Sequence, residues 1–259
     1  MQGCKKLKDT KYGYFVDYYS SQVKEQVKNR LGKLITIEGS DGVGKETQSL
    51  LLVDALTKMG YKAMRLSFPN YKSPSSGPIK EYLSGKLGGI NDLEPYAVSV
   101  LYAADRFCTI KELHIEKLLE DGYIIICDRY VESNFIHQLS KVICNEDKAK
   151  LVIDLIELEY GQLKLPIPDT TFYLSLPIEF SLKLLEERSG KKDIHESNKQ
   201  YLTFTHETGN EMAELFEWNV INCLNSKNQL YAKESINKKI MSTLKASKLL
   251  DKVPKLTAE

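Results

Sequence analysis

The sequence predicts an α/β fold: a parallel β-sheet wrapped by helices, with a lid loop. Three observations carry this. Short β-branched runs alternate with helix-period segments along most of the 259 residues. One run, YIIICDRY (123–130), opens with unbroken apolar residues, as expected of a strand buried on both faces. Another, KLITIE (33–38), leads straight into a glycine-rich loop and then a helix, so the loop falls at the strand ends where such sheets bind ligands.

In order, residues 1–32 form a Tyr- and Lys-rich N-terminal extension in which VKEQVKNRL (23–31) could make a short helix. The main domain spans 33–248. After KLITIE, TQSLLLVDALTKMG has helical periodicity closed by Gly60, and KAMRLSF is the next strand, closed by Pro69. PSSGPIKEYLSGKLGG holds a loop and a short helix. One long helix is expected over EPYAVSVLYAADRFCTIKELHIEKLLEDG, started by Pro95 and stopped by Gly122. The central strand YIIIC follows, then a helix over EDKAKLVIDLIELEYGQL, the strand DTTFYLSL and the helix IEFSLKLLEERS. WNVINCL reads as a last strand, the remainder as helix, and 249–259 as a C-terminal tail.

Composition narrows the function classes. A net charge of +1 gives no bulk attraction to nucleic acid or anionic membrane, so neither is expected as a partner. No apolar run approaches a membrane span, and the N-terminus lacks the apolar core of a secretory signal. Cys4, Cys108, Cys127, Cys144 and Cys223 are scattered without a C-x-x-C pair, which fits a reducing compartment, so the cytoplasm is expected. His195 and His206 have no metal-ligand spacing and read as surface or lid residues.

Four constellations carry chemistry. In GSDGVGKET, Gly39, Gly42 and Gly44 let the backbone of Ser40, Asp41 and Val43 curl with its N–H groups inward, and the helix from Lys45 through Thr47 adds its positive end. Lys45 would reach the β- and γ-phosphates of a nucleotide; a glycine-rich turn with an incidental lysine is the bland alternative. Glu46 occupies the slot where a serine or threonine ordinarily helps carry magnesium. It would bind the ion, most simply through water, or turn outward and cap the helix. Asp128 and Arg129 end the central strand at the ligand edge, where a guanidinium can grip phosphate with two bonds or merely close an ion pair. Tyr102 and Arg106 share a helix face, suited to stacking on a base and bonding its edge, or to the core. Arg188, Lys191 and Lys192 in EERSGKKDIHE could close over phosphates as a lid, or form a solvated loop.

The order of these pieces resembles the thymidylate kinase family, from Lys33 to about Leu244. GSDGVGK resembles its phosphate loop, SFPNY its Phe-Pro segment with Phe68 and Pro69, and LYAADRF the helix bearing Tyr102 and Arg106. CDRYVESNFIHQ resembles its DRY segment, with Ser133 and Gln138 lining the acceptor pocket. The resemblance implies a P-loop nucleoside monophosphate kinase fold and phosphoryl transfer from magnesium ATP to dTMP, often in a homodimer. It also implies that Lys45 and the loop hold donor phosphates and that Arg129 holds the acceptor phosphate. Asp41 would touch the deoxyribose hydroxyl, Asp128 would orient magnesium-bound waters or the acceptor phosphate's bonding network, and Arg188 would neutralise the transferred group. Here the loop lacks an arginine, and Asn70 and Tyr71 follow Phe68-Pro69 where an arginine is frequent. The alternatives are a kinase for another deoxynucleotide or nucleoside, or a nucleotide-binding homologue inactivated at Glu46.

Overall fold

A computed structural model describes residues 30–187 and 193–256. The proposed 23–31 helix and the lid cations Arg188, Lys191 and Lys192 therefore lie wholly or largely outside the described residues. Strands β1 (Lys33–Gly39), β2 (Ala63–Ser67), β3 (Ile124–Asp128), β4 (Thr170–Ser175) and β5 (Asn219–Asn222) form one sheet. Its order is β2-β3-β1-β4-β5 and every pairing is parallel. β1 and β3 are buried along their whole length, which explains why both read as continuous apolar or β-branched runs.

Each crossover is helical. Helix α1 (Lys45–Lys58) follows the glycine-rich loop, and α2 (Gly77–Leu83) follows β2. The expected single helix over 94–122 is in fact two, α3 (Pro95–Glu112) and α4 (Ile115–Glu120). The break falls at His114, whose φ is 51°. Its physical reason is packing: Ile110 and Ile115 are both fully buried, yet five residues along one helix would put them on different faces. Beyond β3 come α5 (Glu132–Leu139) and α6 (Asn145–Ile156). A π-helical turn over Glu157–Gln162 then interrupts the expected continuous helix and turns the consecutive residues Glu159 and Tyr160 both inward. Helices α7 (Ile178–Glu187), α8 (Lys199–Leu215) and α9 (Lys233–Ala246) complete the layers.

Two apolar cores flank the sheet. One gathers Leu34, Ile125 and Cys127 with α5 and α6; the other gathers Ile35, Ile37 and Phe172 with Leu52, Leu56 and Ile240. Residues 249–256, expected as a tail, pack on the second core through Leu250 and Val253, and Leu256 N donates to Gly60 O at 2.7 Å. Among the described residues no helix is long and apolar enough to cross a membrane.

Candidate active site

The carboxyl ends of β1 and β3 put the glycine-rich loop beside Asp128-Arg129. Gly42 and Gly44 have φ of 82° and 93°, a left-handed backbone that side chains resist. A Cβ on Gly42 would strike Leu185 and the Ser181 carbonyl of α7, whereas one on Gly44 would meet nothing within 4 Å. The loop is thus packed on its α7 side and open at Gly44, where helix α1 begins. Val43 and Ser40 are buried, Ser40 Oγ lying 3.3 Å from His206 Nδ1. Lys45 is buried and folds back, its Nζ donating to Gly39 O at 2.9 Å and Ser40 O at 2.7 Å. Burial, then the nearby Arg129, pull its pKa down to about 8, against Asp41, Asp128 and Glu38. An anion placed in the loop would relieve that penalty.

Arg129 adopts a left-handed backbone, φ 66°, and its side chain meets two groups. Its Nη2 donates to Asp41 Oδ1 of the loop, and its Nη1 lies 3.1 Å from His137 Nε2 of α5. Burial raises the Asp41 carboxyl, but Arg129 and Lys45 outweigh it and hold Asp41 well below the usual carboxylate range. Beneath them Glu38 is fully buried, accepting from Tyr130 N at 2.8 Å and Ser133 Oγ at 2.7 Å. Burial pushes its pKa up, opposed chiefly by Arg129.

Asp128 faces the other way. Its Oδ2 accepts from Arg65 Nη2 at 2.5 Å, while Arg65 Nε donates to Ser49 Oγ of α1 at 2.7 Å. The same guanidinium is 3.8 Å from Glu46 Oε1. Glu46 thus makes no cap and extends toward Arg65, its side chain 75% exposed. Thr47, next along α1, is half-buried.

A cavity of about 300 Å³ opens beside the loop, lined by Asp41, Phe68, Pro69, Tyr102, Arg106, Arg129 and Ser133, together with Tyr71, His137 and His195. Arg106 is held in place by Glu159 of the π-helical turn: Nε donates to Oε2 at 2.6 Å and Nη2 to Oε1 at 2.5 Å. Asn134 Nδ2 in turn donates to Glu159 Oε1 at 2.7 Å, and Arg106 Nη1 to Tyr130 O at 3.3 Å. Whatever Arg106 offers the cavity is therefore a donor from a fixed plane. Gln138 is buried but does not line the cavity; its Oε1 accepts from Lys141 Nζ at 2.8 Å.

Of the residues expected to bind nucleotide, Asp41, Phe68, Pro69, Tyr102, Arg106, Arg129 and Ser133 line this cavity, whereas Gln138 does not and Glu46 extends away toward Arg65. His195 corrects an expectation: it is 5% exposed rather than on the surface, with Nε2 3.0 Å from Tyr82 Oη. Sequence reasoning missed Glu38, Arg65, His137 and Glu159. Only Arg65 left a signal, a lone cation in the strand AMRLS two residues before the ligand edge.

The chain is similar to known proteins. The thymidylate kinase family profile matches residues 37–236. A thymidylate kinase from Brachyspira hyodysenteriae is 34% identical over 219 residues, covering 85% of this chain and 96% of its own. A probable thymidylate kinase from Methanococcus aeolicus is 33% identical over 227 residues, covering 85% and 100%. A solved thymidylate kinase from Candida albicans superposes with a TM-score of 0.64 over 88% of this chain and 96% of its own, at 21% identity, a likeness of fold.

Proposed function

The chain belongs to the thymidylate kinase family, and we propose that its cleft transfers the γ-phosphate of ATP to dTMP, giving dTDP. The observation that carries this reading is the cavity bounded by Tyr102 and Arg106 at one end and by Arg129 and Asp41 of the phosphate loop at the other. A base stacked on Tyr102 and bonded to Arg106 would lay its 5′-phosphate toward Arg129, beside the loop that takes the donor.

An oxygen of the acceptor phosphate attacks the γ-phosphorus as its bond to the bridging oxygen breaks, and ADP leaves. The protein's task is alignment and charge neutralisation. Lys45, released from the Gly39 and Ser40 carbonyls, follows the donor phosphates. Arg129 grips the acceptor phosphate, and Asp41 exchanges part of its bond to Arg129 for the deoxyribose hydroxyl. Ser133 supports the floor through Glu38. Arg188, with Lys191 and Lys192, covers the transferred group.

Magnesium is the cofactor in this reading. Among the described residues no group of three or more His, Cys, Asp or Glu side chains could hold a metal alone. Asp128 and Glu46 beside the loop are the oxygen donors magnesium prefers, used with phosphates and waters, so the residues fit the ion. They would hold it through water, and it would neutralise phosphate charge.

We place the enzyme in the cytoplasm, on its free thiols, and in a homodimer. Tyr96, Val100, Ala104 and Cys108 leave an exposed, largely apolar stripe on α3 that a second copy would cover. Acceptor choice tests the reading. Arg106 carries only donors, which match O4 of thymine and oppose the amino group of cytosine. An unpaired polar group costs about 1–3 kcal/mol, so kcat/KM for dTMP should exceed that for dCMP by about tenfold or more. Equal values would refute base reading by Arg106.

A further inference from the structure

A connected set of buried and half-buried rings borders the acceptor cavity. Arg129 Nη1 can only donate, so His137 Nε2, 3.1 Å away, must accept. The ring proton of a neutral His137 then sits on Nδ1, which faces Tyr201 Oη of α8 at 3.0 Å. The Tyr201 hydroxyl donates onward to His137 O at 3.4 Å, which leaves its lone pairs for Nδ1–H. Burial lowers the His137 pKa well below the usual histidine range, as this pattern of one donor and one acceptor requires.

The other faces of these rings are also occupied. His195 lies against Tyr201 with centroids 4.6 Å apart and nearly parallel to His137 at 5.9 Å and 13°. Lys141 Nζ donates to Tyr82 Oη at 3.0 Å, so the Tyr82 proton is directed to His195 Nε2 at 3.0 Å. The groups facing His137 are thus Arg129, Asp41 beyond it, Tyr201 and His195, contributed by the β3 end, the loop, α8 and the segment before α8.

Arg129 has two kinds of partner. Asp41 belongs to the phosphate loop, and an incoming acceptor phosphate competes with it for the same guanidinium. His137 belongs to a buried helix and takes a different nitrogen. It can therefore keep the guanidinium plane fixed while the Asp41 bond is exchanged.

We propose that His137 is the positioning residue for Arg129, held in its Nδ1–H tautomer by Tyr201 and clamped by His195. Its task is to aim the guanidinium at the phosphate of the acceptor nucleotide. This rests on the acceptor reading above.

The test compares His137→Gln, His137→Phe and Tyr201→Phe with the unaltered enzyme, by steady-state kinetics and by calorimetric titration of dTMP. Gln can present an oxygen near the Nε2 position; Phe fills the space with no acceptor. His137→Phe should lower kcat/KM for dTMP by about 10–100-fold, the scale of a mispositioned binding group, while KM for ATP stays within about twofold. His137→Gln should recover most of that loss. Tyr201→Phe, which deletes one oxygen, should act in the same direction and decides the matter where His137→Phe fails to fold.

A folded His137→Phe with unaltered kcat/KM for dTMP would overturn the proposal alone, as would equal losses in Gln and Phe. With His137→Phe unfolded, a Tyr201→Phe enzyme indistinguishable from the original would do the same. An unaltered enzyme that neither binds nor phosphorylates dTMP would refute the acceptor reading itself, and this role of His137 with it.

Discussion

At the scale of single residues, Glu46 shows how a local departure is absorbed by a distant partner. A carboxylate on the first turn of a helix is locally favoured, yet beside a triphosphate it repels unless a cation intervenes. Arg65 supplies one such cation, 3.8 Å from Glu46 and 2.5 Å from Asp128. Replacing Glu46 by serine removes an anion from the donor side, so metal-free ATP should bind better. The ratio of ATP affinities with and without magnesium should narrow by about 2–5-fold, the scale of an exposed charge pair. An unchanged ratio in calorimetric titrations would exclude Glu46 from the metal's surroundings. Lys45, Asp41 and Arg129 were legible because they belong to contiguous motifs. Glu38, Arg65 and Glu159 were not, because each acquires its meaning from a residue far along the chain: Arg65 from Asp128, Glu38 from Tyr130 and Ser133, Glu159 from Arg106.

At the scale of elements, the π-helical turn determines what Arg106 can do. A regular helix through 157–162 would present Glu159 and Tyr160 about 100° apart, and the wider turn brings both inside. Glu159 then fixes two nitrogens of a guanidinium that is 1% exposed. Removing one member of a buried pair costs about 3–5 kcal/mol, because the other charge is left uncompensated. Glu159→Gln keeps an acceptor but loses the charge, so it should cost the lower part of that range in a denaturant melt. It should also shrink the preference for dTMP over dCMP by freeing the Arg106 plane. A variant with unchanged stability and unchanged preference would show that Glu159 does not hold Arg106 in place. Hydrophobic periodicity gave no sign of this turn, since it ends the helix and no helical stretch follows in which a shifted apolar face could show. The break at His114 was hidden for a related reason: 94–122 has helical composition throughout, and only the joint burial of Ile110 and Ile115 demands a corner.

At the scale of the whole molecule, alternation of strand and helix made the parallel sheet legible, and a Gly-rich loop after a buried strand located its working edge. The strand order was not readable, because it depends on which crossovers pass beneath the sheet rather than on any one segment. Stability also carries a molecular signature of the buried acids. Burial, reinforced by the neighbouring Glu38 charge, pushes Glu132 from an ordinary 4.5 up to about 8. Between those values the folded state holds a proton that the unfolded state has released. This contribution is therefore fully present below the ordinary value and is lost as pH rises through the folded one, by about 1.4 kcal/mol per pH unit. For a domain of this size that is about 2–4 °C in Tm per pH unit. Glu132→Gln, which can still accept from Tyr160 Oη, should flatten the decline between pH 5 and about 8 in thermal melts. Parallel declines in both proteins would mean that Glu132 ionises freely in the fold. Steady-state conversion of dTMP to dTDP with magnesium ATP decides whether one cleft brings a donor triphosphate and dTMP together for transfer. dTDP and ADP should form in equal amounts, at a rate on the order of 1–100 per second, and neither should form in Lys45→Ala. Binding of both nucleotides without dTDP, or ADP released without a phosphorylated acceptor, would contradict transfer in that cleft.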